Sequence, residues 1–158
     1  MRAIRRSRDE RPTLDDWLRD WYAPAYRTAY LVLLDRHEAE RAVHEGFLRA
    51  WRMRSGVVGG SDSRAWVMRA VLNACTRHLG QSAPGQVPEG WRGPAGRLRD
   101  LAGLEPALRR PLALLVGGLD HRSIAEVTRR RADAVEKDLD EVIARLACES
   151  GAGKGGSQ

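Results

Sequence analysis

Cysteine is scarce in this 158-residue chain: Cys75 and Cys148 are the only two, and their spacing is unpaired. That excludes a disulfide-stapled scaffold and fits a reducing compartment. Lysine is equally scarce, with Lys137 and Lys154 alone, so arginine supplies nearly all of the positive charge behind the net +6. An excess of this sign points to an anionic partner. Arginine suits bidentate phosphate and carboxylate contacts, although a GC-rich coding sequence gives the same bias. Long apolar runs are also missing. Leu31–Leu34 and Leu112–Val116 are far too short to span a bilayer. The opening "MRAIRRSRDERP" is basic but has no apolar h-region behind it, so it does not read as a signal peptide. A cytoplasmic protein with no membrane partner is expected.

Catalytic signatures are lacking too. None of the serines sits in a nucleophile motif, and no glycine-rich loop is built to cradle phosphate. Glu40 and His44 have the i, i+4 spacing of a metal pair, and Cys75 and His78 stand close in "CTRH". Neither pair has the further ligands that a zinc site needs, and no HExxH accompanies them. The residues therefore argue against an enzyme and call for no metal or cofactor.

What the sequence does contain is helical periodicity, and no stretch reads as a useful strand. Thr13 or Asp15 can cap a first short helix carrying Leu14, Trp17, Leu18 and Trp21. Pro24 suits the first turn of a second helix, running to about Leu34 with Tyr26, Ala29, Tyr30 and Leu33 on its apolar side. In "DRHEAERAVHEGFLRAWR", Ala39, Val43, Phe47, Ala50 and Trp51 fall on one stripe, while Glu38, Arg41, Glu45, Arg49 and Arg52 lie away from it. After "MRSGVVGGSDS", where Ser61 or Ser63 can cap, the next helix places Trp66, Val67, Ala70, Val71, Ala74 and His78 on one broad face.

"GQSAPGQVPEGWRGPAG", residues 80–96, has linker composition. Beyond it, Pro106 can open a helix carrying Leu108, Leu112 and Leu115, which Pro111 should kink or shift and which Gly117-Gly118 closes. A short helix capped by Asp120, a turn and a longer helix follow, with Val135, Leu139, Val142, Ile143 and Leu146 on the buried side. That order suggests a helix-turn-helix. The expected organisation is all-α: a flexible basic arm at 1–12, a helical bundle at 13–79, the linker at 80–96, a helix-turn-helix domain at 97–148 and a disordered tail at 149–158.

The order of these blocks resembles an RNA polymerase sigma factor of the extracytoplasmic-function (ECF) type, in the sigma-70 family. "YAPAYRTAYLVLLDRHEAERAVHEGFLRAW" is similar to the start of region 2 and "SRAWVMRAVLNACTRHL" to its promoter-melting part. "LEPALRRPLALLVGGLDHRSIAEV…AVEKDLDEVIARL" resembles region 4. The resemblance implies that Glu38, Glu40, Arg41, His44, Glu45, Arg49 and Trp51 dock on core RNA polymerase, at the clamp-helix coiled coil of its largest subunit. Arg41 stands where the family usually has an acid and His44 where it has a glutamine. The same resemblance puts Arg64, Arg69, Asn73 and Arg77 on the unpaired −10 strand of promoter DNA. It assigns the loop 54–63 to a flipped-base pocket and leads the linker near the RNA path. Leu72 and Gly80 replace residues that are basic in the family.

Region 4 departs furthest. Arg129, Arg130, Arg131 and Lys137 are the candidates for −35 DNA, but the three arginines fall where the family's turn carries a glycine. From 132 to 149 there are six acids (Asp133, Glu136, Asp138, Asp140, Glu141, Glu149) against Lys137 and Arg145, a charge of −6 + 2 = −4. Such a face repels phosphates. Three readings stand. One is a sigma factor that binds polymerase, melts −10 and reads −35, with an anti-sigma factor as a further partner. The second is a sigma-like interaction module whose acidic region 4 binds a protein. The third is an unrelated helical binding module.

Overall fold

The computed structural model describes residues 13–54, 61–81, 101 and 103–152. The expected basic arm, the loop 55–60, most of the linker and the end of the tail lie outside these residues. Six helices are described: α1 (Leu14–Leu33), α2 (Arg36–Arg52), α3 (Ser61–Gln81), α4 (Pro106–Val116), α5 (His121–Thr128) and α6 (Ala132–Ala152). No strand occurs among the described residues.

Local chemistry explains most of the helix ends. Thr13 takes up the N–H of Asp16 while the Asp16 carboxylate receives the Thr13 N–H at 3.0 Å, a reciprocal capping box. Asp35 caps α2 through the Glu38 N–H, and Asp120 caps α5 through the Ser123 N–H at 2.7 Å. Pro106 opens α4, and Gly117 caps its end.

Two helix assignments differ from the expectation. Leu14–Leu33 is one helix with Pro24 inside it, not two helices divided there. An interior proline removes one backbone hydrogen bond and costs about 3 kcal/mol. Here Trp17 lies before it and Ala25, Thr28, Ala29, Val32 and Leu33 after it, all buried, so one continuous apolar stripe spans the break. The carbonyl left without its donor belongs to the exposed Asp20, where water can satisfy it. Pro111 also lies inside its helix, buried, and does not shift the start of α4 from Pro106. At the other end of the chain, α6 continues to Ala152, past the point where the tail was expected to begin.

The first three helices form a bundle in which α2 and α3 pack most extensively. Gly46 makes this possible: a Cβ there would lie 2.6 Å from the Val71 Cα. Phe47 and Met68 fill the centre. At one end Trp17 meets Trp51 edge-on at 5.3 Å and Trp21 at 5.3 Å, and on the α1 flank Tyr22, Tyr26 and Tyr30 stack in a ladder. Trp66 is half-buried and donates to the Ala50 carbonyl at 3.2 Å, a packing role.

The last three helices lie against the first three, and the two cores join through Ala113, Leu114, Leu119, Ile124 and Val127. On α6, Val135, Leu139 and Val142 are buried. Ile143, expected on the same face, is 52% exposed, since one residue beyond Val142 turns about 100° around the helix. On α4 the fully buried positions are Ala113 and Leu114, with Leu108, Leu112 and Leu115 only half-buried.

Candidate functional site

The exposed side of α2 is set by the same periodicity that builds the core. With Ala39, Ala42, Val43, Gly46, Phe47 and Ala50 turned inward, Arg41, His44, Glu45, Leu48, Arg49 and Arg52 face solvent. Leu48 is 48% exposed and Met53, just past the helix, 53%. Together with Glu45, Arg49 and Arg52 they line a shallow depression. An apolar centre rimmed by charges is the usual anatomy of a protein-docking patch. Neither Leu48 nor Met53 was among the sequence candidates. Their signal is visible in hindsight as apolar residues off the buried stripe.

The other docking candidates are less free. Glu40 pairs with Arg36 at 3.5 Å, and the His44 ring lies 6.0 Å from that of Tyr22. Trp51 is half-buried in the tryptophan cluster, with the Arg54 guanidinium 3.6 Å above its ring. Glu38 binds Arg41 at 3.0 Å on one side and His78 on the other. Glu45 binds Arg77 at 2.5 Å and the other ring nitrogen of His78 at 3.2 Å. The buried His78 thus bridges two acids of α2 from α3. The hydrogen bond from His78 chiefly, with Arg41 nearby, holds the Glu38 carboxyl below its usual range against the opposing effect of burial. For Glu45 burial works upward, but the bonds from Arg77 and His78 outweigh it and the net shift is downward. Cys75 is wholly buried beside this cluster, and burial pushes its thiol up to about 12.

The candidates for the −10 strand all lie on α3 but are not free together. Arg64 donates to the Gly117 carbonyl at 2.5 Å and Arg69 to the Glu126 carbonyl at 2.8 Å, both in the second half of the chain. Arg77 is held by Glu45. Asn73 is exposed. Of the expected flipped-base loop, residues 55–60 lie outside the described residues.

In the helix-turn-helix, Arg129 takes the left-handed conformation at φ 56°. Arginine thus adopts the backbone geometry for which a turn glycine is better suited. Arg130 is bound to Asp138 at 2.5 Å and Arg131 to Asp133 at 3.0 Å, so two of the three turn arginines are neutralised by acids of α6. Lys137 is exposed among Glu136, Asp140 and Glu141, which are exposed as well.

Residues 17–83 match the family model of sigma-70 region 2. The chain is 35% identical over 77 residues to the ECF RNA polymerase sigma factor SigG of Mycobacterium tuberculosis, a match taking in 44% of this chain and 21% of that protein. The fold is similar to that of the sigma factor RpoE solved in complex with the anti-sigma factor NepR from Bartonella quintana. That match has a TM-score of 0.71 at 14% identity and covers 87% of this chain and 95% of that one. No described helix is long and apolar enough to cross a membrane.

Proposed function

We propose, from the match of residues 17–83 to sigma-70 region 2 and the similarity to an ECF sigma factor, that this chain is a sigma factor of the ECF type that binds core RNA polymerase and directs promoter opening. The observation that carries the first half is the outer side of α2, where Leu48 and Met53 are exposed between Glu45, Arg49 and Arg52. The apolar pair supplies contact area, and the charges fix register on a complementary helical surface. Glu38 serves this surface from behind and Glu45 from its rim, both tied to α3 through His78.

Unpaired −10 bases then pass along α3, where Asn73 is exposed and Arg64, Arg69 and Arg77 supply cations for the backbone. Arg64 and Arg69 are engaged by the second half of the chain, so this role requires that half to move away.

The test is binding to purified core polymerase, with Leu48→Ser/Arg49→Glu beside the wild type. Both substituted residues are exposed, whereas replacing Glu45 also breaks its bonds to Arg77 and His78. Binding by the wild type that falls at least about tenfold in the double variant, about 1.4 kcal/mol, supports the docking face. Equal binding by both removes it.

A second reading concerns α6. Its outer side presents Glu136 and Asp140 beside the exposed Ile143, Glu141 is paired with Arg145 at 2.5 Å, and Arg130 and Arg131 are already paired with acids. An apolar residue flanked by acids fits a basic protein surface better than the major groove. The structural relative was solved with an anti-sigma factor, and a regulator of that kind is the partner this face suits. Glu136→Lys discriminates: a protein partner loses affinity, whereas −35 DNA binds more tightly.

A further inference from the structure

Between the two halves lies a cleft of about 440 Å³, walled by α3, α4 and the turn between α5 and α6. Four arginines line it: Arg69 from α3, Arg110 from α4, and Arg129 and Arg130 from the turn, with Asp138 as the one acid. Asp138 is occupied by Arg130 at 2.5 Å, and Arg69 gives one N–H to the Glu126 carbonyl at 2.8 Å. The others are unspent. The Arg110 Nε is buried with no hydrogen-bond partner, and Arg129 forms no ion pair within the described residues. The cleft therefore carries a charge of 4 − 1 = +3, with unpartnered guanidinium groups from two different elements.

We propose that this cleft is a binding site for a small diphosphate anion, inorganic pyrophosphate or the diphosphate of a nucleotide. The guanidinium fork matches phosphate oxygens in geometry and charge. Two linked phosphates answer the supply of free arginine from two walls better than a single one. A cavity of this size, walled by three elements, falls in the range of small-ligand sites. Such a ligand would bridge α3, α4 and the turn, and so favour the arrangement in which Arg64 and Arg69 are engaged by the second half.

Isothermal titration of the full chain with inorganic pyrophosphate at physiological ionic strength tests this, with GDP and a short single-stranded oligodeoxynucleotide as parallel arms. The variants are Arg110→Gln and Arg129→Gln, which break no ion pair, and Arg122→Gln as a charge-matched control. Arg122 is an exposed arginine outside the cleft. Circular dichroism checks that each variant is folded. The expected result is saturable one-to-one binding of pyrophosphate or GDP, weakened at least about tenfold by either cleft variant and unchanged by the control. Absence of saturable binding, or equal weakening by Arg122→Gln, overturns the site. Binding of the oligonucleotide alone, lost in the same cleft variants, overturns the small anion and assigns the cleft to a nucleic-acid backbone.

Discussion

His78 occupies an unusual place for a histidine, buried between two helices with a carboxylate at each ring nitrogen. Its consequence is a pH-dependent link between α2 and α3. Glu38 and Glu45 both titrate below their ordinary value in the folded chain. Each therefore contributes stability that is present above the unfolded value near 4.5 and is lost as pH falls through the lower folded value. Asp120, held down by the Ser123 N–H at the start of α5, acts in the same direction. Urea midpoints recorded from pH 6 to pH 3 should drop across the acidic part of that range, and Glu38→Gln should make the drop shallower. Parallel curves for the two proteins would mean that the His78 bridge contributes nothing. Little of this was legible beforehand. The spacing put His78 on the inner face of α3, but which acids it meets depends on how α2 lies across α3.

At the scale of the element, the helices were readable where caps and periodicity agreed and misread where proline intervened. Thr13, Asp120, Pro106 and Gly117 marked true ends because each satisfies or removes an orphan backbone group. Pro24 fits the same rules locally, yet it lies inside a helix, since apolar residues on either side of it share one core. Gly46 carried no legible signal. Alanine at an exposed helical position would gain about 1 kcal/mol over glycine, but here the added methyl meets the Val71 Cα at 2.6 Å. Forcing a group into a packed interface costs about 1–3 kcal/mol, so Gly46→Ala should lower stability by up to about 2 kcal/mol in chemical denaturation. A more stable variant would show that α2 and α3 can separate freely.

The whole molecule is organised by the contact between its halves. Thr28, buried in α1, donates to the Ala113 carbonyl at 3.0 Å, and Arg64 and Arg69 reach the Gly117 and Glu126 carbonyls from α3. Main-chain acceptors exist at every position, which is why the composition of either half gave no hint of this pairing. A Cβ on Gly117 would run into the Thr28 hydroxyl. Gly117→Val should accordingly part the halves, raising the radius of gyration in solution scattering while helix content is kept. An unchanged radius would show that the contact yields to the valine side chain. The same arrangement supplies its own optical gauge. Trp17 of α1 has Trp51 of α2 edge-on at 5.3 Å and Trp21 beside it. Indoles at that range couple their transitions, so the near-ultraviolet circular dichroism of the unlabelled chain reports whether α2 is seated on α1 while its outer side is occupied.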